Sequence, residues 1–415
     1  MITRRAFVRA GSLALVSFGL DPLFLDRAAY ALGGRRVAGS RTLVCLFQRG
    51  AVDGLSMVIP HADPRYYRER PRIAIPRTAL IDLDGGFGFH PALAPLEPLW
   101  SSGTLAVVHA VGSPNPTRSH FNAQDFMESG TPESKATRDG WANRYCQHHR
   151  EHAETPFRAV AFGPELPRAL AGSAPSLAID DLRTFGLRTR SPSANDRLTR
   201  AFEDLYQGSA TGLMSSSSAE AFDAIRMLRE ANPSRLNPEH GAEYPRGRLG
   251  ASLMQVAQLI KAKVGLELAF VDVGGWDTHV NQGTDDGQLA RRLGELGQAL
   301  RAFTSDLGER MADVVVLTMS EFGRTVRENG TGGTDHGHGT AMLVLGGNVK
   351  GRQVAGEWPG LDSSALWEGR DLAVTTDFRA LFGEVLTGHL GAKHPDLVFP
   401  GFDPSQGASL NLFGS

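Results

Sequence analysis

The chain predicts an α/β fold, a doubly wound and mostly parallel sheet with helices on both faces, from three features of its sequence. Short runs rich in Val, Leu and Ala recur at 42–47, 105–110, 159–162, 268–273, 314–318 and 342–345. Near-continuous apolar strands of this kind are buried on both sides, as parallel strands are. Between them lie stretches with helical spacing, such as Leu289, Leu293, Leu296, Leu300, Phe303 and Leu307, which mark an amphipathic helix packing on a sheet. Polar turns rich in Gly, Asp and His follow several of the runs, where an open α/β sheet gathers its working residues.

The elements follow in chain order. Thr3-Arg4-Arg5-Ala6-Phe7-Val8-Arg9, the uncharged stretch 10–20 and Ala29-Tyr30-Ala31 have the form of a twin-arginine export leader with a small-residue cleavage site. Residues 1–31 are therefore set apart, and 32–415 read as one large α/β unit. The leader carries four arginines against two aspartates, so without it the net charge moves from −2 to −4. This mild acidity excludes the basic footprint that neutralises nucleic-acid phosphates. No later run reaches the about 20 apolar residues of a membrane span. Of the two cysteines, Cys45 sits inside an apolar run and reads as a buried small hydrophobe. Helical patterns are expected over 248–264 and 377–390, and the polar 191–243 stretch, broken by the Ser/Gly-rich 208–218, reads as a helical insertion or cap.

The polar turns carry the chemistry. Thr334-Asp335-His336-Gly337-His338-Gly339 places a carboxylate and two imidazoles in a glycine-flanked turn before the last apolar run. Gly274-Gly275-Trp276-Asp277-Thr278-His279 follows the 268–273 run. Alone, either could be a solvated loop whose Asp caps the backbone; two at the same kind of position point to a metal site. Asp53 follows the first run and Ser119-His120 the second. Carboxylates mixed with imidazoles suit zinc, manganese or iron better than calcium. One or two such ions would serve displacement at phosphorus or sulfur. Arg49 and Arg118 could clamp an anion, with Arg324 a third candidate. Ser119 is the expected nucleophile and Thr117 its rival, unless Ser119 merely caps the helix that starts at His120. His90 reads as a structural hydrogen bonder, and His148, His149 and His152 as solvent-facing.

The leader, Arg49-Gly-Ala-Val-Asp-Gly-Leu55, Arg118-Ser-His-Phe-Asn-Ala-Gln-Asp125, Gly275-Trp-Asp-Thr-His279, Ser320-Glu-Phe-Gly-Arg-Thr325 and Asp335-His-Gly-His-Gly339 together resemble the DUF1501 family. That family is placed by similarity in the alkaline phosphatase and sulfatase superfamily. The resemblance implies an alkaline phosphatase-like sheet with a metal centre at the strand ends. It makes Asp53, Asp277, His279, Glu321 and His338 expected ligands, and Ser119, His120, Arg118 and Arg49 expected catalytic residues. Phe322 stands where the superfamily carries a histidine ligand and cannot replace it. Either Asp335 or His336 enters from the neighbouring turn, or the second metal is absent.

The resulting expectation is a periplasmic or secreted metal-dependent hydrolase of phosphate or sulfate esters. Its partners would be an anionic small-molecule, glycan or lipid ester and the twin-arginine export machinery. The alternatives are a degenerate, non-catalytic binding protein, suggested by Phe322, and a group transferase acting on an envelope lipid or glycan.

Overall fold

The computed structural model describes residues 41–149, 155–185, 224, 226–228, 230–403 and 409–414. The leader, His152 and most of the 191–243 stretch lie outside them. Among the described residues twelve strands are formed: β1 Thr42–Gln48, β2 Val58–Ile59, β3 Ile81–Asp82, β4 Gly88–Phe89, β5 Leu105–Gly112, β6 Ala159–Phe162, β7 Leu177–Ile179, β8 Leu268–Val273, β9 Val314–Met319, β10 Thr340–Gly346, β11 Val354–Ala355 and β12 Thr376–Asp377. The longer helices are α1 His120–Ser129, α2 Trp141–His148, α3 Arg248–Ala262, α4 Gln288–Leu307 and α5 Phe378–Gly388.

The main sheet runs β11-β5-β10-β9-β1-β8-β6-β7, with β12 beside β5, and a small second sheet is ordered β2-β4-β3. All six of the expected apolar runs are strands of the main sheet. Its pairings are parallel except at β10, which runs antiparallel to both β5 and β9. β5, β9, β1 and β8 consequently end at one edge, and the loop entering β10 returns to that same edge.

Every residue of β1 is buried, because the sheet is covered on both faces. Val44 and Leu46 face one apolar cluster, which holds Leu253, Val256, Leu293, Leu300 and Phe303 from α3 and α4. Leu43, Cys45 and Phe47 face the other, which holds Trp141, Tyr145, Phe378, Leu381 and Phe382 from α2 and α5. The six positions that mark the amphipathic stripe of α4 are all buried. Burial on this scale, at roughly 25 cal/mol per Å² of apolar surface, fixes the strand ends that carry the polar loops.

Cys45 and Cys146 are both buried and free. No described helix is long and apolar enough to cross a membrane. His149 is a correction. It is buried, stacks on Tyr145 at 4.7 Å and accepts the Lys393 amide at Nε2 (3.2 Å), so it belongs to the core and not to the solvent face.

Candidate metal centre

Four loops meet at the shared strand edge: 49–53 after β1, 113–119 after β5, 274–279 after β8 and 320–339 between β9 and β10. Glycines let them meet. Gly50 has φ +116°, and a Cβ there would stand 2.7 Å from the Asp277 amide nitrogen. At Gly337 a Cβ would fall 2.3 Å from the Arg324 carbonyl carbon. Any side chain at either place would separate the loops. Arg324, fully buried, completes the junction by donating to the carbonyls of Gly50, Ala51, Trp276 and Thr334 and to Asp277 Oδ1 at 2.5 Å.

Three imidazoles converge there. His120 Nε2 lies 3.0 Å and His279 Nε2 2.9 Å from His336 Nε2. Asp277 closes the group, its Oδ2 3.6 Å from His120 Nε2 and its Oδ1 3.0 Å from His279 Nε2 and 3.4 Å from His336 Nε2. The ligand atoms of His120, Asp277 and His336 all lie within 4.8 Å of one another, metal-holding proximity.

The other nitrogen of each ring faces an acceptor. His120 Nδ1 donates to Glu321 Oε1 at 2.8 Å, His279 Nδ1 to Asp335 Oδ1 at 3.0 Å, and His336 Nδ1 to the Arg118 carbonyl at 2.9 Å. Each ring's Nδ1 hydrogen is therefore committed, and in their neutral forms the three rings bring their Nε2 lone pairs together, that of His279 also 3.4 Å from Arg324 Nη1. Bridging both contacts with protons would require two charged imidazoles crowded beside the Arg324 guanidinium. One divalent cation relieves both contacts at once. The donor set fits zinc, manganese or iron, with acceptors behind the rings as metal-binding histidines have.

Electrostatics follow the contacts. The Glu321 bond raises the His120 pKa above its ordinary value. Burial pushes the Glu321 carboxyl up, but hydrogen bonds from His120, Gln124 and the Gly50 amide outweigh it and leave it lowered. Burial lowers His336. Phe322, the residue that could not be a ligand, is buried beneath the rings, 5.0 Å from His120 and 5.1 Å from His336, in a small apolar cluster with Ala51 and Ala123.

Of the residues expected as ligands, the structure brings together Asp277, His279 and His336, and it adds His120, which the sequence places among the catalytic groups. Several expectations are corrected. Asp53 is fully buried and gives both oxygens to Arg70, at 2.7 and 3.0 Å, with Gln282 donating at 2.7 Å, so its charge is taken up within the fold and it is not among the converging side chains. His338 donates Nε2 to the Ser113 carbonyl at 2.8 Å and lies outside the cluster, with Nδ1 buried and without a hydrogen bond. Glu321 and Asp335 touch the rings from behind and do not face the convergence point. Arg49 is occupied by Asp272 and Glu128, both at 2.8 to 2.9 Å, and is not free to clamp an anion. Arg118 binds buried Asp371 and exposed Glu368, each at 2.6 Å. Ser119 is exposed and makes no capping bond, so the mere-cap reading of its hydroxyl does not hold, whereas Thr117 Oγ1 accepts from the Ser119 amide at 3.3 Å. His90 is structural, accepting the Ala92 amide at Nδ1 and donating to the Thr284 carbonyl.

Three residues were missed. Asp371 holds Arg118 and Arg370 together, and Arg370 also donates to the His336 carbonyl at 2.5 Å. Arg70 neutralises Asp53. Asp371 acts on Arg118 from 253 residues away and Arg370 on the His336 carbonyl from 34, so neither has a local signal, and Arg70 lies 17 residues from Asp53 with nothing between them to mark the pairing.

The fold is similar to that of three solved structures. The C-terminal periplasmic domain of EcEptC from Escherichia coli, in complex with Zn, is 10% identical, with 75% of this chain and 74% of that chain covered and a TM-score of 0.37. A protein in the alkaline phosphatase superfamily from Vibrio parahaemolyticus is 10% identical over 80% and 70%, with a TM-score of 0.35. PsFucS1 sulfatase from Pseudoalteromonas sp. is 10% identical over 95% and 78%, with a TM-score of 0.35. No curated protein matches the chain by sequence. The model of the DUF1501 family, described as a protein of unknown function, matches residues 101–396, which include all four converging side chains but neither Asp53 nor Arg70. The chain belongs to the DUF1501 family.

Proposed function

We propose that this protein is an exported metal-dependent hydrolase of phosphate or sulfate esters with a mononuclear centre held by His120, Asp277, His279 and His336. The observation that carries this reading is the convergence of three imidazole lone pairs whose ring hydrogens are all committed elsewhere. One ion is favoured over two because Arg70 already supplies the counter-charge to Asp53. When bound, the ion supplies Lewis acidity toward an ester oxygen and lowers the pKa of water.

The chain's own groups frame the rest. Glu321 and Asp335 hold two of the rings in place and raise their basicity. Ser119, exposed at the start of α1 directly before His120, is the candidate nucleophile. Arg370, half-exposed and tied to the occupied Arg118 through Asp371, lies beside the centre as the candidate anion donor. The periplasm as site of action rests on the twin-arginine form of residues 1–31.

The test combines metal analysis with turnover. The expected result is one transition-metal ion per chain, lost in Asp277→Asn, with metal-dependent release of nitrophenol from p-nitrophenyl phosphate or sulfate. A protein that retains no transition metal after loading overturns the reading. Transfer of the phosphoryl or sulfuryl group to an added alcohol, in place of hydrolysis, redirects it to the transferase alternative.

A further inference from the structure

His120, Gln124 and Glu128 stand on successive turns of α1, so their side chains share one face of the helix. His120 Nδ1 and Gln124 Nε2 both donate to Glu321 Oε1, at 2.8 and 2.9 Å, and the Gly50 amide donates to the same oxygen at 2.8 Å. One turn further along, Arg49 Nη1 donates to Gln124 Oε1 at 3.2 Å and to Glu128 Oε1 at 2.9 Å. Arg49 is itself fixed. Its Nε donates to Asp272 Oδ1 at 2.8 Å, and its guanidinium carbon lies 4.2 Å from the centre of the Phe47 ring. Glu128 is buried and its second oxygen accepts the Ala169 amide at 3.0 Å.

The direction of the Gln124 amide is forced. A guanidinium only donates and a carboxylate only accepts, so the amide oxygen faces Arg49 and the amide nitrogen faces Glu321. Gln124 thus spans the gap between a fixed cation and the carboxylate that stands behind the His120 ring. We infer that Gln124 is a positioning residue for the metal centre: braced by Arg49, it holds Glu321 Oε1 against His120 Nδ1 and so keeps His120 Nε2 on the convergence point. Arg49, occupied and not free to clamp an anion, is the brace. This rests on the metal centre of the reading above and not on turnover by it.

Zinc affinity, measured on the full chain by competition with a chromogenic chelator, tests it without an ester. Gln124→Met, similar in volume but with neither amide group, should bind zinc about three- to tenfold more weakly, the worth of one net hydrogen bond, at unchanged stoichiometry. In a Glu321→Met background, where the oxygen that Gln124 holds is gone, the same change should cost less than about twofold, because contacts that act through one another are not additive. In the single variant the ring-nitrogen resonances of His120 should move while those of His279 and His336 stay, a readout that decides the matter if the double variant misfolds. Gln124→Ala replaces Gln124→Met if the latter fails to fold. Unchanged zinc affinity, the full loss persisting in the Glu321→Met background, or equal movement of all three rings overturns the positioning role. A wild-type chain that binds no zinc overturns the metal centre itself.

Discussion

Asp277 and Asp53 both leave the carboxyl end of a strand, and both were expected to hold metal, yet the structure gives them opposite surroundings. Asp277 is 45% exposed in its side chain and faces three imidazole nitrogens. Asp53 is wholly buried and faces a guanidinium. A carboxylate opposite neutral lone pairs attracts a cation, whereas one already paired in a dry site has its charge satisfied and serves the fold. The partner decides the role, and the fold supplies it: His336 reaches Asp277 from 59 residues away and Arg70 reaches Asp53 from 17.

The contrast can be broken most decisively at the open site. His336→Gln should abolish stoichiometric metal, weakening binding by more than about a hundredfold, beyond the range seen for residues that only orient ligands. Its folding should change little, as checked by metal analysis against thermal unfolding. Arg70→Met should do the reverse. Leaving Asp53 buried and unpaired should cost about 3–5 kcal/mol in denaturant unfolding, with the metal content retained. If Arg70→Met strips the metal, the separation of the two regions is wrong.

Acid separates them again. Burial pushes the Asp53 carboxyl up, the Arg70 pairing outweighs this, and the net pKa is lowered. The stability that the pair supplies is thus present above the ordinary carboxylate value of about 3.9 and lost only as pH falls through the lower folded value. Losses at milder acidity must come from elsewhere. Burial lowers His109 and His389 to about 4. His109 Nε2 donates to the Val58 carbonyl and Nδ1 accepts the Ala110 amide, so a second proton has no acceptor. Between the unfolded value of about 6.5 and 4, the unfolded chain binds the proton first, and stability falls as pH falls, by about 3 kcal/mol for a fully buried histidine. His109→Gln should remove about half of the fall in melting temperature over that window, His389 supplying the rest. A melting curve as steep as the wild type's would show that His109 is not the cause.

The smallest effect belongs to the residues behind the rings. Glu321→Gln and Asp335→Asn keep a hydrogen-bonding oxygen but remove the charge, and should weaken metal binding about 10- to 100-fold without abolishing it. A loss as complete as that of His336→Gln would make these carboxylates ligands after all.

Much of this was legible beforehand. The strands and the α4 stripe were visible because a two-sided sheet and a packed helix each impose a local period on apolar residues. The 274–279 and 334–339 turns stood out because metal-binding side chains and close-packing glycines are compositionally distinctive. The choice of His336 over His338 was not legible. Two residues apart in one turn, they differ only in what faces them: two imidazoles and the Arg118 carbonyl for one, the Ser113 carbonyl for the other. Nor was the burial of His149, whose charged neighbours suggested solvent.

The sequence by itself determined the α/β class, the strand positions, the glycines that allow four loops to meet and the residue types needed for a metal centre, because each is written in short-range pattern. Only the tertiary structure decided which nitrogen faces which oxygen. His120 and His336 are 216 residues apart and Arg70 and Asp53 are 17 apart, and metal affinity and ion pairing depend on distances of a few ångströms that only the closed sheet edge sets.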